Sequence, residues 1–131
     1  MLNEVIENTE RFIASVPKAK RKKYGQFFTN STTAKFMASL FCFDLSKQKR
    51  EILDAGAGTG ILAAAVVQKL YELGYVGKIY VTCYETDELV MPLLEENMAL
   101  CNKLHNVSYT IKRENYVTSQ NFSNSTSFNN E

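Results

Sequence analysis

A chain of 131 residues, 45% apolar and 11% aromatic, is long enough to bury the core of one domain or of part of one, and its composition is that of a soluble globular protein. No apolar run reaches the roughly 20 residues a membrane helix needs. Met1-Leu2-Asn3-Glu4 lacks the basic start of a secretion signal, so a cytoplasmic protein is expected. The net charge of +1 hides an asymmetry. Residues 1–50 hold ten Lys/Arg against four Asp/Glu, and residues 51–131 hold five against ten. The basic excess concentrates in Lys18, Lys20, Arg21, Lys22 and Lys23, which reads equally as a phosphate-contacting cluster or a solvated linker. Cys42, Cys83 and Cys101 are odd in number and widely spaced, without a Cys-x-x-Cys pair. Buried, reduced thiols are expected, and no metal site.

In chain order, residues 2–16 predict a first helix with Val5, Ile6, Phe12, Ile13 and Val16 as its apolar stripe, ended by Pro17. A basic linker then runs to Gly25, and Gln26-Phe27-Phe28-Thr29-Asn30 reads as an aromatic loop. Ser31 or Thr32 caps a second helix over 32–44, with Phe36, Met37, Leu40 and Phe41 as one buried face. Residues 51–54 form a short strand and 59–73 a helix closed by Gly74. Residues 78–85 have the β-branched and aromatic content of a second strand. Asp87 caps a helix to about residue 104, with Pro92 in its first turn and Leu93, Leu94, Met98 and Cys101 inward. Val107, Tyr109 and Ile111 alternate with polar residues in a third strand. This order predicts an α/β fold with parallel strands, the first half of a doubly wound sheet. The Asn- and Ser-rich residues 120–131 are expected to stay unstructured.

The first strand ends in Asp54-Ala55-Gly56-Ala57-Gly58-Thr59-Gly60 and runs straight into an Ala/Val/Leu-rich helix. Glycines let backbone N–H groups approach a ligand closely, and a helix N-terminus adds positive potential. A nucleotide-like ligand is therefore expected. The dinucleotide fingerprint fits only from Gly58 through Gly60 to Ala63, one step too far from the strand, and no Gly-Lys-Ser/Thr supports a phosphate loop.

This turn resembles motif I of the class I S-adenosyl-L-methionine-dependent methyltransferases. Tyr24-Gly25-Gln26-Phe27-Phe28-Thr29 resembles the motif that precedes the core in adenine-N6 DNA methyltransferases, and Tyr84-Glu85-Thr86-Asp87 resembles motif II. The three occur in family order across residues 20–116. The chain is thus similar to the N-terminal part of the Eco57I-like N-6 adenine-specific DNA methyltransferases of restriction-modification and phage-defence systems. The resemblance implies an incomplete Rossmann-like methyltransferase fold. Its expected division is an N-terminal helix and linker (1–30), a donor-binding half domain (31–116) and a polar tail (117–131).

It also implies roles. Asp54 would meet the donor's ammonium, with a helix-capping acid as the alternative, while Ala55, Gly56, Gly58 and Gly60 pack close around the donor. Glu85 would accept both ribose hydroxyls, Thr86 would lie against the adenine, and Phe27, Phe28 and Thr29 would close over the carboxylate end, with core aromatics beside a capping Thr as the alternative; Gln26 is a further expected donor-binding residue. Asn115 and Tyr116 stand where the family commonly has Asp-Phe facing the adenine amine, and Asn30 stands where a proline is usual.

Methylating an adenine amine also calls for acceptors on its hydrogens and a platform for the flipped base. The family supplies these from an Asn/Asp-Pro-Pro-Tyr/Phe loop, whereas this sequence has only Pro17 and Pro92. The 131 residues are therefore expected to be an N-terminal piece or split subunit, without a catalytic residue of its own and inactive alone. DNA is the expected partner, reached through the full-length protein or a second subunit. The open edge of the first strand and the apolar stretch 61–67 are expected to be covered by self-association or by the tail. An rRNA adenine dimethyltransferase fragment and a non-catalytic donor-binding or partner-docking module are the alternatives.

Overall fold

The computed structural model describes residues 1–120, apart from the side chains of Lys23 and residues 25–27. The helices are α1 (Leu2–Ser15), α2 (Lys18–Phe27), α3 (Ser31–Ser39), α4 (Ile61–Glu72), α5 (Met91–Asn102) and α6 (Tyr116–Ser119). The strands are β1 (Lys49–Asp54), β2 (Lys78–Tyr84) and β3 (Val107–Lys112). They form one parallel sheet in the order β1-β2-β3, with Asp54 opposite Cys83 and Tyr84 opposite Lys112. Parallel neighbours need a crossover; α4 and α5 supply the two here. The result is the β-α-β-α-β half of a Rossmann-like sheet.

One face of β2 explains where the core sits. Ile79, Val81 and Cys83 are buried among α4 and α5 side chains, whereas Tyr80, on the opposite face, is exposed. Helix α4 is apolar nearly all round (Ile61, Ala63, Ala64, Ala65, Val66, Val67, Leu70), so it must be covered on more than one side. It packs on β1, on α1 and on α3. Each fully buried Val, Leu or Ile contributes about 1.5–3 kcal/mol relative to exposure. Gly74 closes α4 with φ +77°, while Tyr75 donates to the Leu70 carbonyl and Gly74 to that of Tyr71. This is the helix stop expected from a left-handed glycine at that position.

Several expectations are corrected. Residues 18–27 are a helix, not a linker. Ala, Lys and Arg are good helix formers, Arg21 N–H takes the Pro17 carbonyl, and buried Tyr24 stacks on Phe28 at 4.9 Å and meets Phe12 edge-on at 5.4 Å. The second helix ends at Ser39 rather than residue 44, and its expected inner face points outward. Phe36, Leu40 and Phe41 are all more than half exposed, while Ala34 and Ala38 are the buried contacts. Small residues let α3 lie close against α4, which the Phe/Leu stripe would prevent. Its cap is Asn30, whose side chain accepts from Thr33 N–H at 2.8 Å. Asp87 does not cap α5. It shapes the preceding turn by accepting from Leu89 N–H, and α5 begins at Met91. The stretch 61–67 is covered by α1 and α3 of the same chain, not by self-association or by the tail. Cys83 and Cys101 are buried, each thiol pushed up to about 12 by desolvation first, but Cys42 is exposed. Residues 117–119, expected to open the unstructured tail, belong to α6, and the expectation for residues 121–131 lies outside the described residues.

Candidate functional site

Strands β1 and β2 end side by side, so the loops beyond Asp54 and Tyr84 face one crevice at the carboxyl edge of the sheet. Open parallel sheets bind their ligands there. The turn continues β1 and is tied to β2 and to itself: Ala57 N–H donates to the Tyr84 carbonyl at 3.0 Å, and Gly60 N–H to the Ala57 carbonyl at 2.8 Å. Its three glycines serve three ends. Gly60 has φ +83°, and a Cβ there would fall 2.6 Å from Met98 and 3.0 Å from Leu94, so it is needed for conformation and for packing. Gly58 has φ +55° and lies under the Phe28 ring, 3.2 Å from where its Cβ would stand. At Gly56 a Cβ would meet nothing within 4 Å. That glycine borders open space.

Two carboxylates converge on this turn. Glu85 Oε1 accepts from Gly58 N–H at 2.6 Å, and Oε2 accepts from the Thr86 and Asp87 N–H groups at 3.0 and 2.9 Å. Three N–H donors on one carboxylate fix its orientation and leave Oε1 with room to accept once more. Burial raises the Asp54 carboxyl above the usual carboxylate range. The Gly56 N–H opposes this rise, and the negative charge of Glu85 adds to it. A cation beside Asp54 would favour its ionised form and offset the repulsion from Glu85.

A recess of about 40 Å³ lies against the turn, lined by Phe28, Thr29, Asp54, Gly56, Gly58 and Leu62 among others. A wider hollow of about 860 Å³ opens at the amino ends of β1 and β2, among Lys47, Lys49, Arg50 and Lys78. It lies at the wrong end of the strands for a ligand of this sheet. Among the described residues no group of three or more His, Cys, Asp or Glu is arranged to hold a metal ion.

Thr29, Asp54, Gly56 and Gly58 line the recess against the turn, and the Glu85 carboxylate holds the Gly58 and Thr86 N–H groups beside it; Ala55 is exposed in the turn, and Gly60 faces Met98 and Leu94 rather than the recess. Gln26 and Phe27 occupy the last turn of α2, and their side chains lie outside the described residues. Tyr116 packs edge-on against Tyr84 at 5.1 Å. Asn115 is committed elsewhere: its side-chain oxygen accepts from the Val117 and Thr118 N–H groups and caps α6. A polar group behind the turn lies outside all three motifs. Asn97, fully buried, donates to the Thr59 carbonyl at 2.8 Å, and the Thr9 and Thr59 hydroxyls lie 3.0 Å apart. The available signal was an Asn set among Leu93, Leu94, Met98 and Cys101 on an otherwise apolar helix face.

The family model described as N-6 DNA Methylase matches residues 5–130. The chain is 37% identical over 101 residues to the Type II methyltransferase M.BsuBI of Bacillus subtilis, covering 76% of this chain and 20% of that protein. It is 35% identical over 102 residues to the Type II methyltransferase M.PstI of Providencia stuartii, covering 78% and 19%. A 69-residue match at 38% identity, covering 53% and 20%, is to the protein-lysine N-methyltransferase EFM3 of Saccharomyces cerevisiae. The chain thus spans about one fifth of the length of the curated relatives it matches.

Proposed function

The chain belongs to the N-6 DNA methylase family, and from that premise we propose that its 131 residues are the S-adenosyl-L-methionine-binding portion of a DNA adenine-N6 methyltransferase of a restriction-modification or phage-defence system. The observation that carries this reading is the convergence of Glu85 and Asp54 on the glycine turn, beside open space at Gly56. The similarity extends to a protein-lysine N-methyltransferase as well as to Type II methyltransferases. All three names give methyl transfer and only one gives an acceptor, protein lysine, so what they have in common favours a donor site over an acceptor site.

The donor, when bound, supplies a methyl group made electrophilic by its sulfonium. This chain's residues hold and orient it. Glu85 accepts from the ribose hydroxyls, using the capacity left on Oε1 and exchanging one of the N–H bonds on Oε2. Ionised Asp54 faces the ammonium. Gly56 keeps the wall thin, Ala55, Gly58 and Gly60 shape it, and Thr86 lies at the adenine. Gln26, Phe27 and Thr29 close the carboxylate end, and Asn115 and Tyr116 stand towards the adenine amine. Asn115 would have to leave its helix cap to serve there.

Lys18, Lys20 and Lys22 are exposed on α2, which leads directly to Phe28 and Thr29, and suit the phosphates of a DNA duplex. No Pro-Pro occurs in the 131 residues, so the acceptor-binding loop comes from elsewhere and the chain alone transfers no methyl group. Calorimetric titration of the chain with S-adenosyl-L-methionine tests the reading. Saturable one-to-one binding that Glu85→Ala abolishes is expected. Absence of binding, or binding indifferent to Glu85→Ala, refutes it, and methyl transfer to DNA by the isolated chain refutes the division of labour.

A further inference from the structure

Thr59 stands between two left-handed glycines, Gly58 and Gly60, at the point where the turn becomes α4. Its carbonyl and its hydroxyl are both buried, and each is taken by a residue from outside the strand–turn–helix unit. The carbonyl accepts from Asn97 Nδ2 of α5 at 2.8 Å, while Asn97 Oδ1 accepts from Asn8 Nδ2 of α1 at 3.1 Å. The hydroxyl lies 3.0 Å from that of Thr9 on α1, and Thr9 lies 2.8 Å from the Val5 carbonyl. A carbonyl can only accept, so Thr9 gives its one proton to Val5, and Thr59 supplies the proton shared by the two hydroxyls.

Asn97 is completely buried, and its helix neighbours Leu94, Met98 and Cys101 are equally so. A leucine would fill such a site without the cost of burying an amide, which is tolerated only when the amide is hydrogen-bonded. Both ends of this amide reach out of α5, one to the glycine turn and one to α1. The first bond of α4 runs from Ala64 N–H to the Gly60 carbonyl, one residue beyond Thr59. Asn97 thus holds the last carbonyl before the helix ladder begins. Two glycines flanking that carbonyl leave the turn free to adopt other conformations, and an external clamp removes that freedom.

We propose that Asn97 and Thr9 are positioning residues for the donor turn, fixing Thr59 through its carbonyl and its hydroxyl so that the turn keeps the shape that accepts the donor. This rests on the donor reading of the turn. It makes α1 part of the site, although no α1 residue lines the recess beside Gly56.

The test uses the full 131-residue chain with Thr9→Val, which removes the hydroxyl at nearly constant volume, Thr9→Ser, which restores it, and Asn97→Asp, which replaces the donating amide. Two readouts are taken: S-adenosyl-L-methionine affinity by calorimetry, and amide hydrogen exchange at Gly58 and Gly60 against that of β3. Losing one such hydrogen bond corresponds to a factor of up to about ten. Thr9→Val is expected to weaken donor binding by about that factor and to speed exchange at the two glycines while β3 is unchanged. Thr9→Ser should bring both back. Asn97→Asp should weaken binding at least as much; should it fail to fold, Thr9→Val and Thr9→Ser decide. Wild-type affinity in Thr9→Val overturns the proposal, and so does faster exchange spread evenly over turn and β3. If the unaltered chain takes up no donor, the donor reading fails, and the exchange pattern alone then judges the clamp.

Discussion

Gly56 and Gly60 stand four residues apart in one turn, and the structure assigns them opposite sensitivities. In Gly60→Ala the new Cβ sits at φ +83°, which costs a non-glycine residue about 1–2 kcal/mol. It also falls 2.6 Å from Met98 and 3.0 Å from Leu94, both fully buried side chains. Overpacking of this kind costs about 1–3 kcal/mol, softened here because the Met98 terminus can move. A loss of about 2–4 kcal/mol follows, on the order of 10 °C in melting temperature for a domain of this size. In Gly56→Ala the Cβ meets nothing within 4 Å and φ is not left-handed. That variant should melt within a degree or two of the parent, yet fill space the donor needs and lose at least about tenfold in affinity, or 1.4 kcal/mol. Thermal unfolding followed by circular dichroism, with calorimetry for S-adenosyl-L-methionine, separates the two. A destabilised Gly56→Ala that binds normally, or a Gly60→Ala that melts like the parent, would contradict these assignments.

The raised Asp54 carboxyl gives a pH dependence. A cationic ammonium favours the ionised form, so binding should release a proton as Asp54 ionises and should weaken as pH falls through a range above that of an ordinary carboxylate. Calorimetry in buffers of differing ionisation enthalpy measures this, and Asp54→Asn should abolish it. The same raised value makes the folded state hold its proton longer than the unfolded chain does. Asp54 therefore lowers stability as pH rises from the ordinary carboxylate value through the raised one, a slope that denaturant titration of Asp54→Asn should find missing. Replacing Lys18, Lys20 and Lys22 by alanine should weaken duplex DNA binding and flatten its log–log salt dependence by about two to three units, close to one for each phosphate no longer neutralised; an unchanged slope in filter binding would remove α2 from the DNA surface. Strand β1 pairs only with β2 among the described residues and leaves Leu53 more than half exposed. Sedimentation should therefore show concentration-dependent self-association that Leu53→Lys suppresses, and a strictly monomeric parent chain would contradict this.

Whatever depends on local chemistry was legible in the sequence. An acid closing an apolar strand, glycines at close spacing, and a second acid closing the next strand are enough to locate Asp54, the turn and Glu85, and the spacing of the helices implies the parallel order. Features decided by packing are harder to see. Lys18–Phe27 reads as a linker because its run of charges masks its helix propensity, and its one buried anchor, Tyr24, is tertiary. Phe36, Leu40 and Phe41 have the spacing of a buried stripe, but Ala34 and Ala38 take the contact because α4 lies so close. Asn115 suits a base acceptor or a cap equally, since the two uses call for the same oxygen. The clamp on Thr59 joins residues 50 and 38 positions away. No window of sequence shows that.

Whether Glu85 reads the ribose of a methyl donor held against the glycine turn is decided by removing each partner in turn. S-adenosylhomocysteine and its 2′-deoxy analogue are titrated into the parent chain and into Glu85→Gln. If the carboxylate and the hydroxyl meet, the parent loses affinity on deletion of the hydroxyl by about 1.5–3 kcal/mol, the range for hydrogen bonds to charged groups, and Glu85→Gln loses much less. Equal losses in both chains would show that Glu85 serves only to hold the Gly58, Thr86 and Asp87 amides, and would contradict the account.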